Sequence, residues 1–133
     1  MKKFRINVED IMARDVATVS TDTSLSGIMK EMRDKQVTSV MVEISKPEGK
    51  YGVVTRKDVL IRILLDKKDI DKTKALDIMS YPLLSVTPDM RIGDVARIMQ
   101  RANIRRFPVI ENGNIVGVIS NSDILKAISN EIN

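Results

Sequence analysis

Gly52-Val53-Val54-Thr55-Arg56-Lys57-Asp58 returns 65 residues later as Gly117-Val118-Ile119-Ser120-Asn121-Ser122-Asp123. In each stretch a β-branched run gives way to a hydroxyl residue, two further residues and an aspartate. An apolar helical pattern follows, with Val59, Leu60, Ile63 and Leu64 after the first and Ile124, Leu125 and Ile128 after the second. A strand running into a helix is therefore written twice. Toward the N-terminus the correspondence continues at an offset of 67, which pairs Asp10-Ile11-Met12 with Asp77-Ile78-Met79, Val19 with Val86, Asp22 with Asp89, Met32 with Met99 and Val42 with Val109. The two extra residues of the first copy lie in a looser loop, Ser45-Lys46-Pro47-Glu48-Gly49-Lys50, where the second has the hairpin dipeptide Asn112-Gly113. Matches spread along the whole segment mark an internal repeat.

The periodicities agree between the copies. Leu25, Ile28, Met29 and Met32 stand at i, i+3, i+4 and i+7, and Ile92, Val95, Ala96 and Met99 repeat that spacing. Each set reads as one face of an amphipathic helix, with its start expected at Asp22-Thr23 or Pro88-Asp89. Residues 37–44, 51–54, 107–110 and 115–119 read as strands. The sequence thus predicts an α/β (α+β) fold of two tandem repeats, 8–66 and 75–131, with 67–74 as a linker. A unit of about 60 residues is marginal alone, so the copies are expected to pack face to face with pseudo-twofold symmetry. That leaves two clefts, related by symmetry, as candidate ligand sites.

Composition removes many alternatives. The chain has 133 residues, 43% of them hydrophobic, and neither Cys nor His. Disulfides, thiolate nucleophiles, cysteine-ligated zinc and the commonest general base and metal ligand are therefore absent. No paired acid–base constellation stands out among the remaining groups, so neither catalysis nor a metal site is expected. No apolar run approaches the ~20 residues of a membrane span, and Met1-Lys2-Lys3-Phe4-Arg5 leads into Asn7-Val8-Glu9-Asp10 without a long apolar stretch. A cytoplasmic protein free of membranes is the expectation. The net charge of +4 suits anionic partners but lacks concentrated basic blocks.

The order of a D-I-M opening, T-V-x-x-D, an amphipathic helix, h-P-V and G-h-h-[ST]-x-x-D, present twice, resembles the cystathionine-β-synthase (CBS) domain, whose tandem pair is called a Bateman module. The resemblance covers about residues 8 to 131. It implies a β-α-β-β-α repeat, frequent homodimers, and adenosine-containing ligands such as AMP, ADP, ATP or S-adenosylmethionine. The regulatory insert of IMP dehydrogenase is a relative.

Thr55-x-x-Asp58 and Ser120-x-x-Asp123 have two readings. A hydroxyl three residues before an acid at a helix start is a capping box, although such boxes favour the longer Glu or Gln. In the family the matching Asp accepts hydrogen bonds from the ribose hydroxyls and the matching Thr or Ser lies near phosphate. The resemblance therefore implies ribose binding by Asp58 and Asp123 and phosphate contact by Thr55 and Ser120, with capping and binding compatible. It also implies that Arg105 and Arg106 reach the phosphates of the nucleotide whose ribose is held by Asp58. Thr38 and Ser39 match them in the other copy and carry no charge, which ranks the Asp58 site above the Asp123 site. Met41 stands where the family commonly has Pro. The adenine pocket is expected around Val16, Ala17, Val37 and Val53 for one site and Leu83, Leu84, Ile104 and Val118 for the other, although each also suits ordinary core. Two cations oppose the sulfonium of S-adenosylmethionine, so AMP, ADP or ATP is the expected ligand, with no cofactor.

The expected function is ligand sensing, passed to an effector protein not identified by the sequence. A nucleic-acid binder is the second reading, opposed by the scarcity of aromatic residues, two Tyr and two Phe. A structural interaction module with vestigial pockets is the third.

Overall fold

The structure, a computed structural model, describes residues 5–81 and 83–131; the first four residues of the N-terminal reading above fall outside them. In chain order the elements are α1 (Val8–Ile11), β1 (Thr18–Ser20), α2 (Leu25–Lys35), β2 (Ser39–Ser45), β3 (Lys50–Thr55) and α3 (Arg56–Leu64). There follow α4 (Ala75–Ile78), α5 (Ile92–Ala102), β4 (Arg106–Glu111), β5 (Asn114–Ser120) and α6 (Asn121–Glu131).

The chain divides into two compact units whose boundaries differ from those of the sequence repeat. One unit is the continuous stretch 17–83; the other joins residues 1–16 to 84–133. The D-I-M segment that opens each repeat thus packs in the unit built from the other repeat's strands. Within the discontinuous unit, Ala13 and Val118 exchange both backbone hydrogen bonds, at 2.9 Å each. Within the continuous unit, Ser80 and Val53 do the same, at 2.9 and 3.1 Å.

Each letter of D-I-M has a physical task in this crossing. The carboxylates of Asp10 and Asp77 accept from the backbone N–H of Asn7 and Lys74, at 2.9 Å each, and close the first turn of α1 and α4. Ile78 is buried in its unit's core and Ile11 packs against the other. The two methionines lie over glycines. A Cβ added to Gly117 would come 2.6 Å from Met12 Sδ and 2.9 Å from the Ala13 carbonyl oxygen, and one on Gly52 would come 2.7 Å from Met79 Sδ and 3.1 Å from the Ser80 carbonyl oxygen. Only a bare backbone lets the segment approach so closely. Gly117→Ala is therefore expected to cost about 1–3 kcal/mol through overpacking, read as a lowered denaturation midpoint. Gly93→Ala, where a Cβ meets nothing within 4 Å, is the matched control.

The core of the continuous unit is formed by Ala17, Leu25, Ile28, Val40, Val42, Val54, Val59, Ala75 and Ile78. Its counterpart holds Val8, Met12, Val86, Ile92, Val95, Phe107, Val109, Ile119 and Ile124. Leu25, Ile28, Met29 and Met32, Ile92, Val95 and Met99, and Val59, Ile63, Ile124 and Ile128 supply or pack against the two cores as read, whereas Ala96, Leu60, Leu64 and Leu125, read on the same faces, are exposed; the first helices also begin later than expected. Ser24 caps α2, its hydroxyl accepting from Gly27 N–H at 3.1 Å. Asp22-Thr23 belongs instead to the preceding turn, where Thr23 Oγ1 accepts from Ser20 N–H. Likewise Pro88-Asp89 lies in a turn closed by Met90 N–H on the Thr87 carbonyl, and α5 starts after Arg91. Local hydroxyl and carboxylate bonds in these turns compete with helix.

The sheets show where the two repeats diverge. In the continuous unit β1 pairs parallel with β2, and β2 antiparallel with β3. In the other unit β4 pairs antiparallel with β5, while the first strand contracts to a single bridge, Val86 with Val109. Residue 41 and its match 108 account for the difference at the start of the ladder, where Thr18 pairs with Met41. Met41 N–H donates to the Ala17 carbonyl at 2.8 Å, extending the ladder by one bond. Pro108 has no N–H to give. The residue that departs from the family's usual proline therefore lengthens β1. The Asn112-Gly113 hairpin forms as expected, with φ of 53° and 79° at its two residues. Residues 67–74 lie along the start of α2: Ile70 and Thr73 carbonyls accept from Ser26 and Leu25 N–H at 2.8 Å each.

Candidate functional site

At the end of β3, Thr55 closes a cap on α3 with a geometry that recurs at Ser120 and α6. Thr55 N–H and Thr55 Oγ1 both donate to Asp58 Oδ2, at 2.9 Å each, and Oγ1 accepts from Asp58 N–H at 3.2 Å. In the second repeat Ser120 N–H and Oγ donate to Asp123 Oδ2 at 2.9 and 3.0 Å, and Oγ accepts from Asp123 N–H at 3.2 Å. The capping-box reading is thus realised in both copies. Asp reaches because the Thr or Ser hydroxyl turns toward the carboxylate, so the shorter side chain spans the box with a third bond. One carboxylate oxygen, Oδ2, takes both of the bonds made to the carboxylate. Among the described residues, Oδ1 of Asp58 and of Asp123 accepts no hydrogen bond, and both residues are only partly buried. The carboxylate is therefore fixed in orientation by Oδ2 and keeps Oδ1 able to accept.

The strand that pairs with each cap is set by register. Ser39 lies opposite Thr55 across β2 and β3, and Arg56 N–H donates to the Thr38 carbonyl at 2.8 Å. Arg106 lies opposite Ser120 across β4 and β5, and Asn121 N–H donates to the Arg105 carbonyl at 2.9 Å. Within its own unit, then, the arginine pair flanks the Ser120–Asp123 cap, whereas the Thr55–Asp58 cap is flanked by hydroxyls. Arg105 is exposed and Arg106 partly buried. Neither is in an ion pair among the described residues.

The apolar candidates are distributed over both units. Ala17, Val37, Val53 and Leu83 belong to the continuous unit, and Val16, Leu84, Ile104 and Val118 to the other. Ala17 is buried in its core, and Val37 and Ile104 pack against the cores of their respective units. Val53 is partly buried opposite Met41, and Leu84 is 50% exposed. Sequence reasoning missed the two D-I-M segments as neighbours of the caps, for Ala13 and Ser80 bridge to Val118 and Val53, two residues before Ser120 and Thr55. The signal was present in the repeated glycine and methionine. No group of three or more acidic side chains able to hold a metal occurs among the described residues.

The CBS-domain family model matches residues 8–65 and 75–130. An uncharacterised protein of Methanopyrus kandleri is 32% identical over 122 residues, which are 91% of this chain; the chain spans 62% of that relative's length. The hexameric CBS-CP12 protein of bloom-forming cyanobacteria superposes with a TM-score of 0.81 at 30% identity, over 90% of this chain and 69% of that one. The CBS domain pair of protein MJ0100, solved in complex with 5′-methylthioadenosine and S-adenosyl-L-methionine, superposes with a TM-score of 0.79 at 21% identity, over 95% and 98%. That last likeness concerns the fold.

Proposed function

Since the chain belongs to the CBS-domain family, whose tandem pairs are generally ligand-sensing regulatory modules, we propose that it binds AMP, ADP or ATP as a signal in the cytoplasm and transforms no substrate. The observation that carries this reading is the duplicated cap with its uncommitted Oδ1. An ionised carboxylate only accepts, and the vicinal ribose hydroxyls offer it two donors. Asp58 and Asp123 are the ribose residues in this proposal. Thr55 and Ser120 lie beside the phosphate in this proposal, where the N–H groups of Lys57 and Ser122 in the first helical turns favour it. Arg105 and Arg106 add bidentate, charge-assisted bonds to its oxygens. The purine takes the apolar residues of one set, Val16, Ala17, Val37 and Val53, or of the other, Leu83, Leu84, Ile104 and Val118. The same arginines disfavour the sulfonium of S-adenosylmethionine, which is the competing ligand to test.

Signalling requires that the ligand prefer one conformation over another, since equal affinity for two states shifts neither. The readout in this proposal is a changed affinity for an effector protein, with a homodimer as the working assembly. A ligand that binds only the folded chain raises its denaturation temperature. Thermal denaturation of ligand-stripped protein with AMP, ADP, ATP, S-adenosylmethionine and a short RNA tests the reading.

A further inference from the structure

β1 ends where β2 carries an acid. The register sets Thr18 opposite Met41 and Ser20 opposite Glu43. Val19, Val40 and Val42 face the core of the continuous unit, so alternation along the strands puts Thr18, Ser20 and Glu43 together on the other face. Thr18, Val19, Ser20 and Glu43 line an open cavity of about 290 Å³. Pockets for drug-sized ligands run from roughly 300 to 1,000 Å³, so this one suits a small group and not a nucleotide. It is also a different place from the Thr55–Asp58 cap. Ser39 lies opposite Thr55, and Glu43 stands further along β2 by roughly 13 Å at the rise of a strand.

The groups gathered here mostly accept hydrogen bonds. Among the described residues the Glu43 carboxylate is in no ion pair and accepts no hydrogen bond. Lys50, at the start of the adjoining β3, is held by Glu48 at 2.6 Å. Ser20 Oγ shares a hydrogen bond with Thr23 Oγ1 at 3.1 Å and keeps a lone pair. β1 is an edge of its sheet. Because the Ala17 carbonyl accepts from Met41 N–H, residues 17 and 19 face β2 and the Thr18 carbonyl points off the open edge. The second repeat keeps the hydroxyls as Ser85 and Thr87 but has Ile110 in place of Glu43, and its first strand contracts to one bridge. The fold therefore does not require the acid.

These oxygens narrow the ligand. They repel an anion, and an apolar ligand would desolvate Glu43 without pairing it. A calcium ion takes about six to eight oxygen ligands, and no group of three or more acidic side chains occurs among the described residues. A planar cation with several N–H donors meets the requirement. We propose that the cavity binds a guanidinium group, with two parallel N–H bonds to the Glu43 carboxylate and its remaining donors turned to the Thr18 and Ser20 oxygens.

Agmatine and putrescine are matched probes, since both carry a four-carbon chain with one ammonium and differ only in having a guanidinium or a second ammonium at the other end. In an NMR titration of the full chain, agmatine is expected to shift the amide signals of Thr18, Val19, Ser20 and Glu43 and to bind at least about tenfold more tightly than putrescine, with salt weakening both. Glu43→Gln keeps the shape and removes the charge, and should weaken agmatine about tenfold or more. Glu43→Ile copies the second repeat and should abolish the shifts. Glu43 is exposed, so both variants should melt within a few degrees of the parent. Arginine capped as N-acetyl methylamide separates the sources of the guanidinium: binding as tight as that of agmatine assigns it to a protein side chain, and binding of agmatine alone assigns it to a free metabolite. Equal binding of agmatine and putrescine, affinity unchanged in Glu43→Gln, or no shifts at these four residues would overturn the proposal.

Discussion

Alanine at both Arg105 and Arg106 is expected to lower the affinity for ADP or ATP about a hundredfold or more, because two hydrogen bonds between charged groups at ~1.5–3 kcal/mol each are lost. Affinity for adenosine, which has no phosphate, should stay within a few fold. The contrast isolates the phosphate contribution without depending on which carboxylate holds the ribose. Fold damage is a poor alternative explanation, since Arg105 is exposed, Arg106 is partly buried, and neither is in an ion pair among the described residues. Titration calorimetry with adenosine, AMP, ADP and ATP reads the result. Equal losses across that series would show that the arginines act through the fold and not on phosphate.

Asp58→Ala is expected to weaken nucleotide binding about ten- to hundredfold, the worth of ~1.5–3 kcal/mol of hydrogen bonding to a charged acceptor. Asp123→Ala should weaken it less if the family's pairing of the arginines with the first repeat's aspartate holds here. Both variants lose the same capping bonds, to Thr55 N–H and Oγ1 in one and Ser120 N–H and Oγ in the other. Their ligand-free stabilities should therefore fall alike, by about 1 kcal/mol, and a difference between them in ligand affinity must come from binding. Loss of binding in Asp123→Ala alone would reassign the nucleotide to the cap that Arg105 and Arg106 flank within their own unit.

Much of this was legible in the chain because the repeat writes each element twice. The helix faces through Leu25 and Ile92, the hairpin at Asn112-Gly113 and both capping boxes follow from spacing and residue type. What sequence spacing left out is non-local. The exchange of the D-I-M segments depends on which strand Met12 and Met79 cross, and a glycine in a strand announces a close approach without naming the partner. The helix starts were misplaced by two or three residues because Thr23 and Asp89 make turn bonds that the apolar period does not register. Pro108 was read as the family's usual residue and Met41 as the exception, yet the exception gains the ladder bond to Ala17.

The central claim is that the folded chain holds an adenine nucleotide, and thermal denaturation of ligand-stripped protein tests it most directly. At about 100 times its dissociation constant a one-site ligand adds ~2.7 kcal/mol of stability, a rise of roughly 5–10 °C for a chain of this size. AMP, ADP or ATP should produce that rise, with S-adenosylmethionine and a short RNA giving less. Flat curves with all three nucleotides would contradict the account.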